Sequence, residues 1–221
     1  MNILVCYYGQ PRQIDRCLEV FNQSIYDTNH TFKICYTTWK NEDISKFQKL
    51  FPLAHIRQVD KPDILENPEN FKIDPTNACV KNFDHYAYGI YVKQQIRDTI
   101  LEVEKVYNTP FDLVIISRTD TLIWDGNMKS CFSECNDENI VCVGHSPRFD
   151  IYRVGAVPDV CYFGKRNTVM KSLLHYDNIK HGIVPSIQQF HPESSLYLMF
   201  KYFGFQVKYC SFKAFPKWEA C

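Results

Sequence analysis

The chain has 221 residues and carries 25 Lys plus Arg against 25 Asp plus Glu, so its formal net charge is zero. That balance excludes a global positive field that would draw in nucleic acid or an anionic membrane, and any phosphate must be met by a local cluster. Hydrophobic residues at 45% and aromatics at 15% exclude a disordered chain, and the length suits one α/β domain around one core.

No stretch approaches the roughly 18 to 20 apolar residues of a membrane span. The apolar run within Met1 to Gly9 is too short for a signal peptide and has no basic flank, so the expectation is a soluble, cytoplasmic protein. Of ten cysteines, Cys6, Cys35, Cys142, Cys161 and Cys210 lie in apolar strand-like runs, where a free thiol behaves as a small hydrophobe. Cys131 and Cys135 are the one close pair and lack partners at zinc-ligand spacing. Reduced thiols are expected.

Asn2 to Tyr8 reads as a buried strand, and Gly9-Gln10-Pro11-Arg12 as a turn into a helix whose stripe is Leu18, Phe21 and Ile25, with Gln13 or Asp15 near its start. A second strand, Phe32 to Tyr36, runs out into Thr37-Thr38-Trp39-Lys40. Two hydroxyls and an indole at a strand's carboxyl end can hold a ribose and flank a base, or can cap the helix that starts near Asn41. Leu53 to Val59 is a weaker third strand. Three prolines, Pro62, Pro68 and Pro75, among polar residues then predict a long surface loop from Asp60 to Lys81, the kind that forms lids or substrate walls.

Asn82 to Asn108 has the longest helical pattern, with Phe83, Ala87, Ile90, Tyr91, Ile96, Ile100 and Val103 mostly on one side. Tyr91, Lys93, Gln94 and Arg97 are its polar-tipped candidates. The helix delivers the chain to Leu113 to Ile116, a β-branched and aliphatic run that reads as a strand buried on both faces, as in a parallel α/β sheet. The run stops at Ser117-Arg118-Thr119-Asp120, placing a guanidinium and a carboxylate where open α/β sheets bind ligands. A carboxylate there can hold magnesium or manganese against a diphosphate, and an Arg-Asp pair closing a turn is the plain alternative.

Ile140 to Val143 is a further buried strand, followed by Gly144-His145 and a loop to Arg153. Val160 to Phe163 is a short strand bracketed by Asp159 and Gly164, the glycine opening a helix over Asn167 to Leu174; Lys165-Arg166 at that start can meet an anion. A loop from His181 to Phe190 leads to His191-Pro192-Glu193, which opens the last helix, Leu196 to Phe203. Gly204 stops it, and Phe205 to Cys210 closes the fold as a strand. Pro192 and Glu193 suit a first helical turn on structural grounds alone.

The order of these pieces resembles nucleotide-sugar glycosyltransferases of the GT-A fold. More narrowly, the chain is similar to the small capsular or lipopolysaccharide-type sugar transferases of bacteria and large DNA viruses, including those proposed to build chlorovirus capsid glycans. The resemblance rests on Tyr8-Gly-Gln-Pro-Arg12, Thr37-Thr-Trp39, Asp112 to Asp120, Asp159 to Gly164 and Pro192-Glu193, and spans most of the chain. It implies a GT-A-like, mostly parallel central sheet flanked by helices in a single domain, and the uncapped run Ala214 to Cys221 could lead into a further one. It implies a UDP- or GDP-sugar as donor, UDP favoured, an oligosaccharide or glycoprotein acceptor, and a location in the host cytoplasm if viral. Asp120 takes the last position of the family's Asp-x-Asp element and would ligate Mn2+ or Mg2+; Arg118 stands where many members have the first aspartate, and can itself neutralise phosphate. Gly9, Gln10, Arg12, Thr38 and Trp39 would line the nucleotide pocket, and Asp159 and Gly164 the donor side. Glu193 matches the general base of inverting members. Two other classes remain open: a module that binds glycan or nucleotide without turnover, and a metal-dependent nucleotidyltransferase or phosphohydrolase. The latter has no glycine-rich phosphate loop here.

Overall fold

The computed structural model describes residues 1–12, 14–62, 83–145, 157–181 and 192–216. Gln13, most of the loops expected over 60–81, 144–153 and 181–190, and the tail beyond 216 lie outside the described residues. The chain opens with β1 (Asn2–Tyr8), α1 (Ile14–Ile25), β2 (Thr31–Trp39), α2 (Ser45–Leu50) and β3 (His55–Val59). The long helix α3 (Phe83–Tyr107) leads into β4 (Leu113–Arg118), with β5 (Thr121–Asp125) directly behind it. After a 3-10 segment at Met128–Glu134 come β6 (Ile140–His145), β7 (Cys161–Lys165), α4 (Arg166–Ser172), α5 (His175–Lys180), α6 (Pro192–Tyr202) and β8 (Gln206–Pro216).

All eight strands join one sheet in the order β3-β2-β1-β4-β7-β6-β8-β5. β1 lies parallel between β2 and β4, and β3 continues the parallel half. β7 runs antiparallel to both β4 and β6, β8 runs parallel to β6, and β5 runs antiparallel to β8. Only β5 and β7 are therefore reversed, so the expected mostly parallel α/β sheet holds.

The central strands are covered on both faces, as their sequences require. In β1, Ile3, Val5 and Tyr7 join one core with Ile14, Leu18, Phe21 and Ile25 of α1, while Leu4, Cys6 and Tyr8 join another with Val92, Ile96, Ile100 and Val103 of α3. β4 divides likewise, Leu113 and Ile115 to the first core and Val114 and Ile116 to the second. That alternation is the period-two geometry of a strand buried twice. Fully burying each of these side chains contributes roughly 1.5 to 3 kcal/mol. Val169 of α4 and Leu196 and Phe200 of α6 complete the second core.

Three elements depart from the sequence reading. Thr121–Asp125, which the sequence reading left unassigned, is a strand paired with β8. β8 continues past Cys210 to Pro216, bonding β6 with its first half and β5 with its second. The helix expected over Asn167 to Leu174 is shorter, and α5 follows it. The eight cysteines among the described residues are all buried. No helix of the described residues is long and apolar enough to cross a membrane.

Candidate active site

Tyr8 is in register with Thr37 on one side and Arg118 on the other, so the carboxyl ends of β1, β2 and β4 finish level with one another. Gly9 turns the chain at that edge with φ of 92°, a left-handed conformation that a Cβ would strain. Its carbonyl accepts from the Tyr36 and Thr38 hydroxyls, each at 2.8 Å. The next carbonyl, Gln10, accepts from the Thr119 hydroxyl at 2.5 Å, and the Gln10 amide nitrogen donates to Glu42 at 3.0 Å. The turn after β1 is thus bolted to the ends of both β2 and β4.

Arg118 and Asp120 form a two-pronged ion pair across that edge: Nε donates to Oδ1 at 2.9 Å and Nη2 to Oδ2 at 2.7 Å. Asp120 is 7% exposed and Arg118 28%. The Arg118 backbone N–H is fixed on the Val160 carbonyl at 3.0 Å, which the Thr121 hydroxyl also reaches at 3.1 Å. Burial works against the guanidinium charge, but Asp120 and Asp159 outweigh it and hold the group firmly protonated.

Because β7 is reversed, the residues before it also reach this edge. The Asp159 carbonyl accepts from the Tyr8 hydroxyl at 3.0 Å and from Lys93 Nζ at 3.3 Å. Lys93 of α3 is only 3% exposed, with Nζ 5.2 Å from the Tyr8 ring centre and 5.7 Å from that of Tyr162. Burial pulls the Lys93 ammonium down, while Asp159 and Glu193 support its charge. Burial pushes the Asp159 carboxyl up; Lys93 pulls it back, and Glu193 adds to the rise. Glu193, in the first turn of α6, is brought to the same ground by its carbonyl, which accepts the Val157 N–H at 3.1 Å. One edge therefore collects Lys93, Arg118, Asp120, Asp159 and Glu193, acids and bases within electrostatic reach of each other.

Several expectations need correction. Gly164 does not open a helix: it lies within β7, opposite Val114 and Val141, toward the amino end of β4 and away from Asp120. Its small size serves strand packing, since a Cβ there would stand 3.1 Å from the Ile140 carbonyl. Arg166 meets Glu104 in a two-pronged pair at that same amino end rather than an anionic ligand. The Thr38 hydroxyl is committed to Gly9, not offered to a ribose. Trp39 is 5% exposed, stacked on Tyr91 at 6.2 Å and edge-on to Tyr88, so it builds a wall and presents no bare face to a base. Gln94 receives the Asp177 N–H at 2.9 Å and ties α3 to α5. Arg12 is exposed at the mouth of the Gly9 turn.

Sequence reasoning named Lys93 as a candidate for reaching the nucleotide and missed the pairing of His175 Nε2 with the Ser195 hydroxyl, which joins α5 to α6 two residues beyond Glu193. Burial pulls His175 down to about 3 and Lys93 adds to the effect, so the imidazole is neutral. A lysine inside the polar face of a long helix gives no sign of burial, and a His and a Ser twenty residues apart give none of contact.

The resemblance implies a divalent cation on Asp120, and the residues present do not fit one. Both carboxylate oxygens already accept from Arg118, and a cation on them would face the guanidinium's positive charge. Among the described residues no group of three His, Cys, Asp or Glu side chains is arranged to hold a metal ion.

No family model matches the sequence, and no curated protein matches it either. Among solved structures, the fold is similar to mouse xyloside xylosyltransferase 1 in its apo form, with 8% identity, a TM-score of 0.49, and coverage of 94% of this chain and 85% of that one. It is also similar to a provisionally named nucleotide-diphospho-sugar transferase from Desulfovibrio desulfuricans G20, with 13% identity, a TM-score of 0.45, and coverage of 95% and 79%. Identities this low say nothing of activity.

Proposed function

We propose that the protein is a glycosyltransferase that moves a sugar from a nucleoside-diphosphate donor, UDP-linked by preference, to a hydroxyl of an oligosaccharide or glycoprotein acceptor. The observation that carries this reading is the convergence of the Gly9 turn, Arg118, Asp120, Asp159 and Glu193 on one carboxyl edge of a mostly parallel sheet. Such an edge supplies a bound diphosphate with cations on one side and a prospective general base on the other. Gly9, Gln10 and Arg12 line the nucleotide side, with Thr38 and Trp39 supporting them from behind.

In an inverting transfer, the acceptor oxygen bonds to the anomeric carbon as the bond from that carbon to the phosphate oxygen breaks, and the electron pair leaves with the diphosphate. The acceptor proton passes to the carboxylate of Glu193. Asp159, held by Tyr8 and Lys93 through its own carbonyl, addresses the donor sugar. Proton transfer of this kind contributes roughly 100- to 10,000-fold to rate. The test is transfer or donor hydrolysis with a panel of UDP- and GDP-sugars, followed by Glu193→Gln. The expected result is turnover with one donor and a fall of at least about 100-fold in kcat with donor affinity kept. Unchanged turnover in Glu193→Gln would remove the mechanism. Failure of a folded protein to bind any nucleotide would remove the function.

A further inference from the structure

We infer that the diphosphate of the donor is held by the Arg118 guanidinium in place of a divalent cation, so that nucleotide binding does not require metal. The inference rests on the transferase reading above and names the group that receives its leaving charge. A guanidinium has five N–H donors. The two-pronged pair with Asp120 uses the Nε donor and one on Nη2, which among the described residues leaves three donors on a side chain that is 28% exposed at the mouth of the site.

Asp120 has the position a metal-binding carboxylate would take, but here it acts as an anchor. It fixes the guanidinium plane from one side and cancels part of the cost of keeping a cation half-buried. The backbone is fixed as well, by Arg118 N–H on the Val160 carbonyl and by the Thr119 hydroxyl on the Gln10 carbonyl, so the fork cannot swing away from the Gly9 turn. A planar cation held on one edge and open on the other matches two phosphate oxygens. When the sugar leaves, the electron pair of the broken bond stays on a phosphate oxygen, and the guanidinium stabilises it through hydrogen bonds with no proton transferred.

The experiment is calorimetric titration of UDP, and in parallel GDP, into the full chain with Mn2+, with Mg2+, and with EDTA. The expected affinity for the preferred nucleotide agrees within about twofold across the three conditions. Arg118→Met with Asp120→Asn removes the cation and its partner together, so that no charge is left orphaned in the fold. It is expected to weaken binding by roughly 30-fold or more, and Arg118→Lys, which keeps the charge but not the fork, by roughly 5- to 10-fold. A gain in UDP affinity on adding Mn2+ to Arg118→Asp, with the bound ion seen by electron paramagnetic resonance and no such gain in the wild type, would support the exchange of roles. A wild-type affinity that falls about tenfold or more in EDTA would overturn the inference and leave the transferase reading intact. Wild-type affinity in the double variant would also overturn it. Binding of neither nucleotide in any condition would remove both.

Discussion

The sheet ends in two Arg-carboxylate forks of nearly equal geometry, one at each end of the central strands. At the carboxyl end, Arg118 grips Asp120 two residues away; at the amino end, Arg166 grips Glu104 across 62 residues, with bonds of 2.8 and 2.7 Å. Both guanidinia are 28% exposed. The difference lies in what each pair connects. Arg166 and Glu104 pin α4 to α3 and so close a long loop, a contribution to the fold. Arg118 and Asp120 sit on one two-residue turn whose ends β4 and β5 already fix, so the pair constrains little chain and instead orients a cation. Identical chemistry serves stability at one end and, in the proposed function, a site at the other.

The largest effect expected from breaking this contrast is at the amino end. Arg166→Ala should cost roughly 2 to 3 kcal/mol in urea unfolding, because it strands a mostly buried Glu104, while leaving nucleotide affinity unchanged. A loss of affinity without loss of stability would reverse the assignment.

The carboxyl end should show the opposite sign, buried titratable groups whose charged forms cost the fold stability. His175 has its pKa pulled from 6.5 to about 3, so below 6.5 the unfolded chain takes up a proton that the folded chain refuses, and stability falls as pH drops toward 3. His175→Gln should flatten the stability profile between pH 6 and 4 by up to about 1.4 kcal/mol per pH unit. An unchanged slope would mean the buried imidazole accepts its proton.

The smallest effect belongs to Asp159, whose raised pKa makes its ionised form a cost to the folded state above that pKa, a cost that disappears as pH falls. Asp159→Asn, which cannot ionise, should gain stability relative to wild type as pH rises from about 3.8 to neutrality. Urea midpoints at the two pH values give the sign, and the reverse trend would show that Asp159 gains more from Lys93 and Arg118 than burial takes away.

The legible parts of the sequence were those where one physical cause leaves one pattern. Leu113 to Ile116 and Ile3 to Cys6 are apolar at every position because both faces are covered, and α1 shows its stripe because only one face is. Strand direction leaves no such mark: Val160 to Phe163 reads the same whether β7 runs up or down, so its reversal could not be read, and Asp159 was assigned to the donor side through the resemblance alone. Gly164 was taken for a turn because a glycine required by the nearby Ile140 carbonyl looks like one required by backbone conformation. At Thr38 and Trp39 a ligand role and a structural role call for the same side chains, and only partners distant in sequence, the Gly9 carbonyl for Thr38 and the Tyr88 and Tyr91 rings for Trp39, mark the structural one. Arg118 and Asp120 were legible as a pair, but not the use of both oxygens.

The placement of β4 also bears on how the molecule assembles. Its neighbours are β1, about 110 residues earlier as the Asn2 to Asp112 bond measures, and β7, which follows only after two other strands have been made. Contacts this distant in sequence require large loops to close before they are rewarded, which slows folding. The strand that carries Arg118 must therefore find one partner far before it in the chain and another after it, and the edge that collects Arg118 and Asp120 is complete only when both have paired.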